Sequence, residues 1–384
     1  MIVSMRQCGG YSDHTAVKAA LKLAICDALG GADELGELIA RKGGYIAVKP
    51  NLVSKKLPEH CATTHPALLA ALFEILKEYT DSIILTECPG GPNTHALLDG
   101  IYKTTGIKEV CDKYGVKLNY DMTSFERETE NSLAVNHVGI LGAVAQAGVF
   151  INFAKLKSHS LTTMTGAAKN LYGLIPGLTK VEYHARFDTI ESFTRLICDI
   201  NRAAPPDISI VDAVMAMEGN GPTGGSPKKV GIIAASKDAF AVDYALCRVI
   251  SFDPASVPIL KCAMDNEIIN PVKIEIRGDI PENYKISDFA LPDSRKQGII
   301  ARLPSIGGGK LREWLAPRPV INRSICVGCG ECIRLCPKKT ISLIEYHGRR
   351  IAKIDKSNCI RCYCCQELCP RKAVDIKTNP LLKI

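Results

Sequence analysis

Aromatic residues, long apolar runs and nucleotide-binding glycine motifs are scarce in this sequence. Only 6% of its 384 residues are aromatic, with a single Trp. The most apolar run, residues 141–154, spans 14 residues and contains Gln146 and Asn152, whereas a membrane-spanning helix needs about 20 apolar residues. Residues 1–10 lack the basic start and apolar core of a secretory signal. No G-x-G-x-x-G fingerprint is present, so a flavin or nicotinamide has no support. We therefore expect neither secretion nor a membrane span.

Cysteine, in contrast, is abundant and regularly spaced towards the C-terminal end. The chain has 17 cysteines, and nine of them lie between Cys326 and Cys369. Eight of the nine form two runs of the type Cys-x2-Cys-x2-Cys-x3-Cys-Pro, which begin at Cys326 and Cys359 and are offset by 33 residues. Both runs have Leu before the last Cys and two basic residues after the Pro. This repeat indicates an internal duplication.

The spacing is typical of two-cluster bacterial ferredoxins, in which the last cysteine of each run ligates the other cluster. Three cysteines on one tight loop can hold three irons of a cubane, and the fourth thiolate must arrive from elsewhere in the chain. We therefore predict two [4Fe-4S] clusters as cofactors, with crossed ligands. The first cluster would be held by Cys326, Cys329, Cys332 and Cys369. The second would be held by Cys359, Cys362, Cys365 and Cys336.

Disulfides and zinc are the alternatives for these cysteines. Nine cysteines without a secretory signal argue against an oxidised framework. Two interlocked runs that end in x3-Cys-Pro fit clusters better than tetrahedral zinc. Cys364 lies beside a predicted ligand but outside the pattern, and we expect it to be a free thiol. Between the runs, alternating residues at 341–344 and 350–354 predict a hairpin.

The net charge of +8 is concentrated around the cysteine runs. From Ile321 onward the sequence has 13 Lys or Arg and 5 Asp or Glu, and the 320 residues before it sum to zero. An oxidised four-thiolate cubane carries a formal charge of about −2, so two clusters would offset much of this excess. Charge compensation explains the basicity without nucleic acid, and a basic surface facing a partner is the weaker alternative.

Upstream of the cysteines, short β-rich runs alternate with helical segments. Predicted strands cover residues 45–48, 82–85, 116–120, 149–153, 208–211 and 230–234, and predicted helices cover 15–29, 107–114, 189–202, 239–250 and 255–266, with another starting at Pro66. Such alternation is typical of an α/β domain whose mostly parallel sheet has helices on both faces. Pro and Gly interrupt the pattern at 295–319. We predict an α/β domain at 1–294, a linker at 295–319 and a small α+β ferredoxin-type domain at 320–384.

Ligands of open parallel sheets bind beyond the carboxyl ends of the strands, so the residues after each predicted strand locate a site. Four strand ends deliver polar or Gly-rich loops to one rim, which we interpret as a shared binding site rather than as ordinary exposed loops. Predicted ligand-binding residues are Lys49, Asn51, Gly90, Gly91, Lys169 and Asn170. Predicted catalytic residues are Lys157, His159, Asp212 and Glu218. The cations favour a small anionic ligand, and the carboxylates are candidates for a general acid or base or for a metal.

Cys88 opens the Gly-rich loop that follows the second predicted strand. A thiolate would be stabilised near the start of the next helix, which makes Cys88 a candidate reactive thiol. A free cysteine is more often a small buried apolar residue, and this is the commoner alternative.

Five short motifs carry a resemblance to a known family. They are Val48-Lys49-Pro50-Asn51-Leu52, Pro89-Gly90-Gly91-Pro92, Lys155-Leu156-Lys157-x-His159, Lys169-Asn170-Leu171-x-Gly173 and Met217-Glu218-Gly219-Asn220-Gly221-Pro222. Over about residues 40–250 the sequence resembles the domain of unknown function 362 family. Members with this C-terminal ferredoxin pair are typical of anaerobic bacteria and archaea. The resemblance implies an iron–sulfur protein of the cytoplasm.

Together these features favour an iron–sulfur oxidoreductase that passes single electrons between its clusters and a small anionic substrate or cofactor at the rim. One alternative is an electron carrier or a docking subunit of a larger redox complex, although a carrier needs no large α/β domain with a cationic cleft. The other is a transferase-type enzyme with structural or redox-sensing clusters. We expect a small anion and a redox protein as partners, and neither nucleic acid nor membrane.

Overall fold

The structure, a computed structural model, describes residues 1–90, 93–281, 284–295 and 316–377. Most of the predicted linker and the predicted site residue Gly91 lie outside these residues. The described strands are β1 (Ile2–Gln7), β2 (Ile46–Pro50), β3 (Ile83–Leu85), β4 (Lys117–Leu118), β5 (Ser124–Glu128), β6 (His137–Leu141), β7 (Val149–His159), β8 (Thr163–Thr165), β9 (Ile208–Glu218), β10 (Ser226–Ser236), β11 (Glu275–Gly278), β12 (Arg318–Ile321), β13 (Ile341–Tyr346), β14 (Arg349–Ile354) and β15 (Val374–Lys377). The described helices are α1 (His14–Leu29), α2 (Glu34–Lys42), α3 (Pro66–Leu76), α4 (His95–Thr104), α5 (Ile107–Tyr114), α6 (Gly142–Ala145), α7 (Ala167–Asn170), α8 (Gly177–Arg186), α9 (Ile190–Ala203), α10 (Ala239–Val249), α11 (Pro258–Asp265), α12 (Glu331–Arg334) and α13 (Cys364–Glu367).

One mixed sheet forms the centre of the first domain. Its strands follow the order β11-β1-β10-β9-β7-β2-β3-β4, and β8 adds to β7. The run from β9 to β4 is parallel throughout, as is the β1–β11 pair, whereas β10 is antiparallel to β1 and β9. The predicted α/β fold with a mostly parallel sheet is confirmed.

Helices cover both faces of this sheet because the central strands are apolar on both sides. In β2, Ile46 and Val48 face a core with helices α1, α3 and α5, while Ala47 between them faces a core with α9, α10 and α11. Alternate strand residues point to opposite faces, so a strand buried on both faces reads as a continuous apolar run. None of the described helices is long and apolar enough to cross a membrane.

Two central strands are longer than the sequence predicts, and this changes the position of several polar residues. Strand β7 continues to His159 and β9 continues to Glu218, instead of ending near residues 153 and 211. All eleven residues of β7 are buried, including Lys155 and Lys157. In the sequence, these charged residues suggest that the strand has ended and a loop has begun. In the structure, each of the two lysines has hydrogen-bond partners inside the fold, so the strand continues. Asp212 therefore lies within β9 rather than at its end.

The C-terminal domain is small and rests on the first domain. The predicted hairpin is present as β13–β14, and β12 pairs with β15. Helix α13 is held by the loop after β9, where Gln366 Nε2 donates to Asn220 O (3.0 Å) and Thr223 Oγ1 donates to Glu367 O (2.8 Å). Lys338 also forms an ion pair with Asp188 (3.3 Å). These contacts place α13 at the carboxyl ends of the central strands.

Candidate functional site

Eight cysteines of the C-terminal domain surround two cavities in groups of four. The first cavity, of about 360 Å³, is lined by Cys326, Cys329, Cys332 and Cys369. The second, of about 340 Å³, is lined by Cys336, Cys359, Cys362 and Cys365, together with Cys364. The two groups are the crossed sets that the spacing predicts, and none of the 17 cysteines, all of which lie in the described residues, forms a disulfide. Four thiolates around one space are the donor set that a [4Fe-4S] core requires.

The surroundings of the sulfurs also suit thiolate ligands. Backbone N–H groups of Ala352, Ala373 and Thr340 donate to the Sγ atoms of Cys326 (3.4 Å), Cys369 (3.2 Å) and Cys336 (3.3 Å), respectively. Hydrogen bonds to sulfur are one of the means by which a protein tunes cluster potential. Among the described residues, no three His, Cys, Asp or Glu side chains converge closely enough for a single ion.

A third cavity, which we call the rim cavity, lies where the two domains meet. It has an empty volume of about 840 Å³ and extends from the carboxyl ends of β2, β3 and β7. Its charged lining residues are Lys49, Lys157, Lys169, Lys180, Glu87 and Glu367. The C-terminal domain contributes Leu335, Cys364, Glu367 and Leu368 to its wall. Four lysines against two glutamates make the cavity cationic.

Lys49 is neutralised by a buried partner. Its Nζ lies 2.9 Å from Glu87 Oε2 and also donates to Pro50 O (3.0 Å) and Asn170 Oδ1 (3.2 Å). Burial lowers the pKa of Lys49, while Glu87 opposes this shift. Gly173 leaves room for the pair, since a Cβ there would come within 2.4 Å of both Lys49 Nζ and Glu87 Oε1. Lys49 therefore stabilises the wall of the cavity and is not free to bind a ligand.

Lys157 has neutral partners and a strongly altered acidity. Its Nζ donates to Asn51 Oδ1 (2.6 Å) and Ala62 O (2.8 Å). Burial, together with the nearby positive charge of Lys169, lowers the pKa of Lys157 to about 7. Asn51 is itself fixed, because its Nδ2 donates to Asn170 Oδ1 (2.8 Å). An amine with this pKa can release or accept a proton near neutral pH.

Lys169 is the cation with the fewest partners in the cavity. Its Nζ lies 5.8 Å from the centre of the Tyr172 ring, and no hydrogen bond or ion pair joins it to another residue in the described part of the chain. Burial lowers the pKa of Lys169, and the negative charge of Glu367 opposes the shift. A partly buried ammonium that makes no hydrogen bond or ion pair favours an external anion.

His159 presents an unsatisfied nitrogen to the same cavity. Its Nδ1 accepts hydrogen bonds from the backbone N–H groups of Leu161 (3.1 Å) and Thr162 (3.3 Å), so the proton of the neutral ring lies on Nε2. Nε2 is 3.1 Å from Glu367 Oε1, but the two are not aligned for a hydrogen bond. Burial and Lys169 lower the pKa of His159 to about 4. At neutral pH the ring is uncharged, and its Nε2–H lies beside the Glu367 carboxylate at the wall of the cavity.

Glu367 brings a carboxylate of the C-terminal domain into this cationic surrounding. Burial alone would raise its pKa, but His159 and Lys169 outweigh burial and lower the pKa of Glu367 to about 2. Its neighbour Cys364 lines both the rim cavity and the second cysteine cavity. The side chain of Cys364 therefore forms part of the wall between the rim cavity and the second cysteine group.

The structure brings seven of the predicted site residues to the rim cavity. They are Lys49, Asn51, Gly90, Lys157, His159, Lys169 and Asn170. It does not bring Asp212 or Glu218 there. Asp212 is surrounded by donors, since it accepts from Lys155 Nζ (2.8 Å), the Tyr11 hydroxyl (2.7 Å) and the His65 backbone N–H (3.0 Å).

Glu218 instead holds a loop, because its Oε2 accepts from Ala290 N (2.8 Å). Burial raises the pKa of the Cys88 thiol, which favours the apolar alternative for that residue.

Sequence reasoning missed several lining residues. Glu87 is the second residue after β3, but its role depends on the buried ion pair with Lys49, which the sequence does not show. Lys180 comes from α8, where its Nζ donates to Cys88 O, and nothing in its sequence surroundings points to the rim. Cys364 and Glu367 belong to the other domain, and only the docking of that domain places them here.

The rim cavity continues into an outer cavity of about 980 Å³. Val53, Pro89, Gly90, Leu335, Glu367 and Leu368 line both. The outer cavity also contacts Lys55, Lys56 and Arg334. Glu331 and Glu367 line it as well, so three basic side chains are set against two carboxylates there.

The family described as domain of unknown function (DUF362) matches residues 46–248. The chain belongs to the DUF362 family. Residues 319–376 of this DUF362 chain match the 4Fe-4S dicluster domain family, so its C-terminal domain is an iron–sulfur dicluster domain. Electron transfer follows from such a domain. The residues that hold the two clusters would be the two groups of four cysteines described above.

A curated relative of this DUF362 chain is a thylakoid-associated protein from Synechocystis sp. The two are 29% identical over 278 residues, which covers 70% of this chain and 83% of the relative. Among solved structures, a similar one is the lactate racemase apoprotein from Thermoanaerobacterium thermosaccharolyticum, with a TM-score of 0.39 and 12% identity. That match covers 67% of this chain and 57% of the racemase chain, so the chain spans little more than half of that protein.

Proposed function

We propose that this DUF362 protein is an iron–sulfur oxidoreductase that passes single electrons between its clusters and a small anionic substrate or cofactor in the rim cavity. The observation that carries the proposal is the wall of that cavity. One side is built from lysines of the α/β domain, and the other side includes Cys364, which also lines the second cysteine cavity. A ligand of the cavity would thus lie next to an electron donor or acceptor.

The bound clusters supply one-electron chemistry, and the protein contributes position and charge. Lys169 and the Nε2–H of His159 offer an unpaired cation and an unpaired donor to an anion. Lys157 holds a proton that it can release near neutral pH, since its pKa lies at about 7. We therefore propose that Lys169 and His159 bind the ligand, and that Lys157 moves a proton when the ligand gains or loses an electron.

The apolar part of the lining beyond these groups favours a small organic anion. Leu335, Leu368 and Pro222 line the rim cavity together with the ring of Tyr172. A carboxylate or phosphate with an apolar body would satisfy both kinds of surface. A cytoplasmic location, in line with the family resemblance, completes the proposal, and the thylakoid association named for the Synechocystis relative is the alternative.

The test uses the whole protein, purified without oxygen and reduced chemically. A panel of small carboxylates and phosphates is added, and reoxidation is followed by the visible absorbance of the clusters. We expect at least one compound to reoxidise the wild-type protein and not the Lys157→Ala variant, with iron content equal in both.

Glu218→Gln is the matched control, because Glu218 lies outside the rim cavity and should leave reoxidation unchanged. Reoxidation that is equal in wild type, Lys157→Ala and Lys169→Ala would contradict the proposal and favour a carrier.

A further inference from the structure

The loop that carries Cys329 is the most exposed part of the first cysteine group. Cys329 itself is exposed, and the neighbouring Ile325 and Val327 expose 40% and 57% of their surface. Val327 and Cys329 also line the first cysteine cavity. Two large apolar side chains thus lie in solvent directly at the edge of the first cluster site.

Basic side chains surround this apolar edge. Arg323, Arg349 and Arg350 are exposed, and Arg349 Nη2 donates to Arg323 O (2.9 Å). The start of β14 packs against the loop so closely that a Cβ at Gly328 would lie 2.4 Å from Arg350 O. No ion pair joins these three arginines to a carboxylate among the described residues, although Glu345 is the cross-strand neighbour of Arg350.

These six residues form one surface, which we call the cluster-edge patch. Its members are Arg323, Ile325, Val327, Cys329, Arg349 and Arg350. None of them lines the rim cavity. The patch is therefore separate from the ligand site of the proposed function.

We propose that the cluster-edge patch is the docking surface for a small acidic electron-carrier protein. With the first cluster bound, one electron would pass to it from the docked reduced carrier, which would itself become oxidised, and no bond would be made or broken. An apolar centre with a charged rim is the usual composition of a transient protein interface. Positive charge around an exposed cluster edge steers an acidic partner towards it and speeds their encounter.

The position of the patch favours a redox protein over other anionic partners. Nucleic acid would use the arginines but gain little from Ile325 and Val327. A membrane surface could bind both the arginines and the apolar side chains, but an exposed cysteine at the edge of a cluster site would add nothing to that binding. Only a partner that exchanges electrons benefits from all three features, because electron transfer depends on a short distance to the cluster.

The test measures binding, so it does not depend on turnover. The anaerobic holoprotein is titrated by calorimetry with a purified acidic two-cluster ferredoxin in its oxidised form, at low and at high salt. Val327→Asp and the double variant Arg349→Glu/Arg350→Glu should each raise the Kd by roughly tenfold or more. The double variant should also lose most of the salt dependence. Val272→Asp is the control, since Val272 is 93% exposed on the α/β domain. Iron content must be equal in all variants.

The outcomes separate this inference from the proposed function. A Kd that is the same in all variants, or no binding of the carrier at low salt, would overturn the docking surface. Binding of phosphatidylglycerol vesicles through the same residues, without binding of the carrier, would also overturn it and identify a membrane as the occupant. In stopped-flow mixing, reduced carrier should reduce the patch variants slowly and the Lys157→Ala variant at the wild-type rate. The docking surface is thus tested even if the rim cavity has no substrate.

Discussion

Replacing Lys169 by methionine should separate the stability of the ligand-free protein from its affinity for anions. Lys169 is partly buried, forms no ion pair or hydrogen bond with the described residues and has its pKa lowered by burial, although Glu367 opposes this shift. Methionine is of similar length and flexible, so it can keep the packing while it removes the charge. The free energy of unfolding of the ligand-free protein should therefore change little, by about 1 kcal/mol or less, because the cost of burying Lys169 is removed together with its attraction to Glu367.

Lys49→Met is the matched comparison. Lys49 is fully buried and lies 2.9 Å from Glu87 Oε2, so its replacement leaves a buried carboxylate without a cation. Loss of one partner of a buried ion pair costs about 3–5 kcal/mol. Two substitutions of the same kind in one cavity should thus differ clearly in the free energy of unfolding, which is measured anaerobically by denaturant and circular dichroism.

Lys169→Met should weaken the binding of anions in the rim cavity. A hydrogen bond to a charged group contributes about 1.5–3 kcal/mol, and its loss weakens binding by roughly 10- to 150-fold. Calorimetry of the holoprotein with inorganic phosphate and with acetate measures this change. The exposed Lys117→Met provides a control for the loss of one positive charge.

Equal anion affinity in wild type and Lys169→Met would refute the reasoning. So would a marked loss of stability in Lys169→Met, because it would show that Lys169 has a structural partner. A wild-type protein that binds neither probe would exclude the rim cavity as an anion site.

Three further predictions address other parts of the molecule. Anion affinity should be full below pH 7 and fall as the pH rises through about 7, where Lys157 loses its proton, and Lys157→Met should abolish this dependence in a calorimetric pH series. Iron analysis should find about eight irons in the wild type and about four in Cys326→Ser or Cys359→Ser, since each change removes a ligand of one cluster, whereas Cys364→Ser should keep all. Gly173→Ala should lower the free energy of unfolding by about 1–3 kcal/mol, because its Cβ would come within 2.4 Å of Lys49 Nζ, whereas Gly9→Ala, with no atom within 4 Å, should not.

Much of the fold could be predicted because local patterns determined it. Helix α5 covers the predicted residues 107–114, and α3 begins at the predicted Pro66. The two cysteine groups follow from spacing, since a tight loop permits only one arrangement of three adjacent thiolates. The lengths of β7 and β9 could not be predicted, because Lys155 and Asp212 look exposed in sequence and become buried only by pairing with each other.

The rim cavity could be predicted only in part for the same reason. Lys157 and Lys169 were identified from their position near strand ends, and the structure brings them to one cavity. The buried position of Asp212 depends on Tyr11, which lies 201 residues away in the chain. The Tyr11 hydroxyl donates a hydrogen bond to the Asp212 carboxylate. Periodicity and spacing are local signals, and they contain no information about such distant partners.

The unpaired state of Lys169 also bears on whether this protein is an enzyme or only a carrier. A chain that merely carried electrons would have no need of a lysine at this place, because Lys169 makes no hydrogen bond or ion pair in the described chain and is attracted only at longer range by Glu367. The same holds for His159 Nε2, which is buried and has no aligned acceptor in the described chain. Both groups lie in the cavity that Cys364 connects to the second cysteine group. Among the described residues, Lys169 and His159 Nε2 lack aligned hydrogen-bond partners at one place, beside the second cysteine cavity. A bound anion would provide these partners, and this favours the oxidoreductase over the carrier.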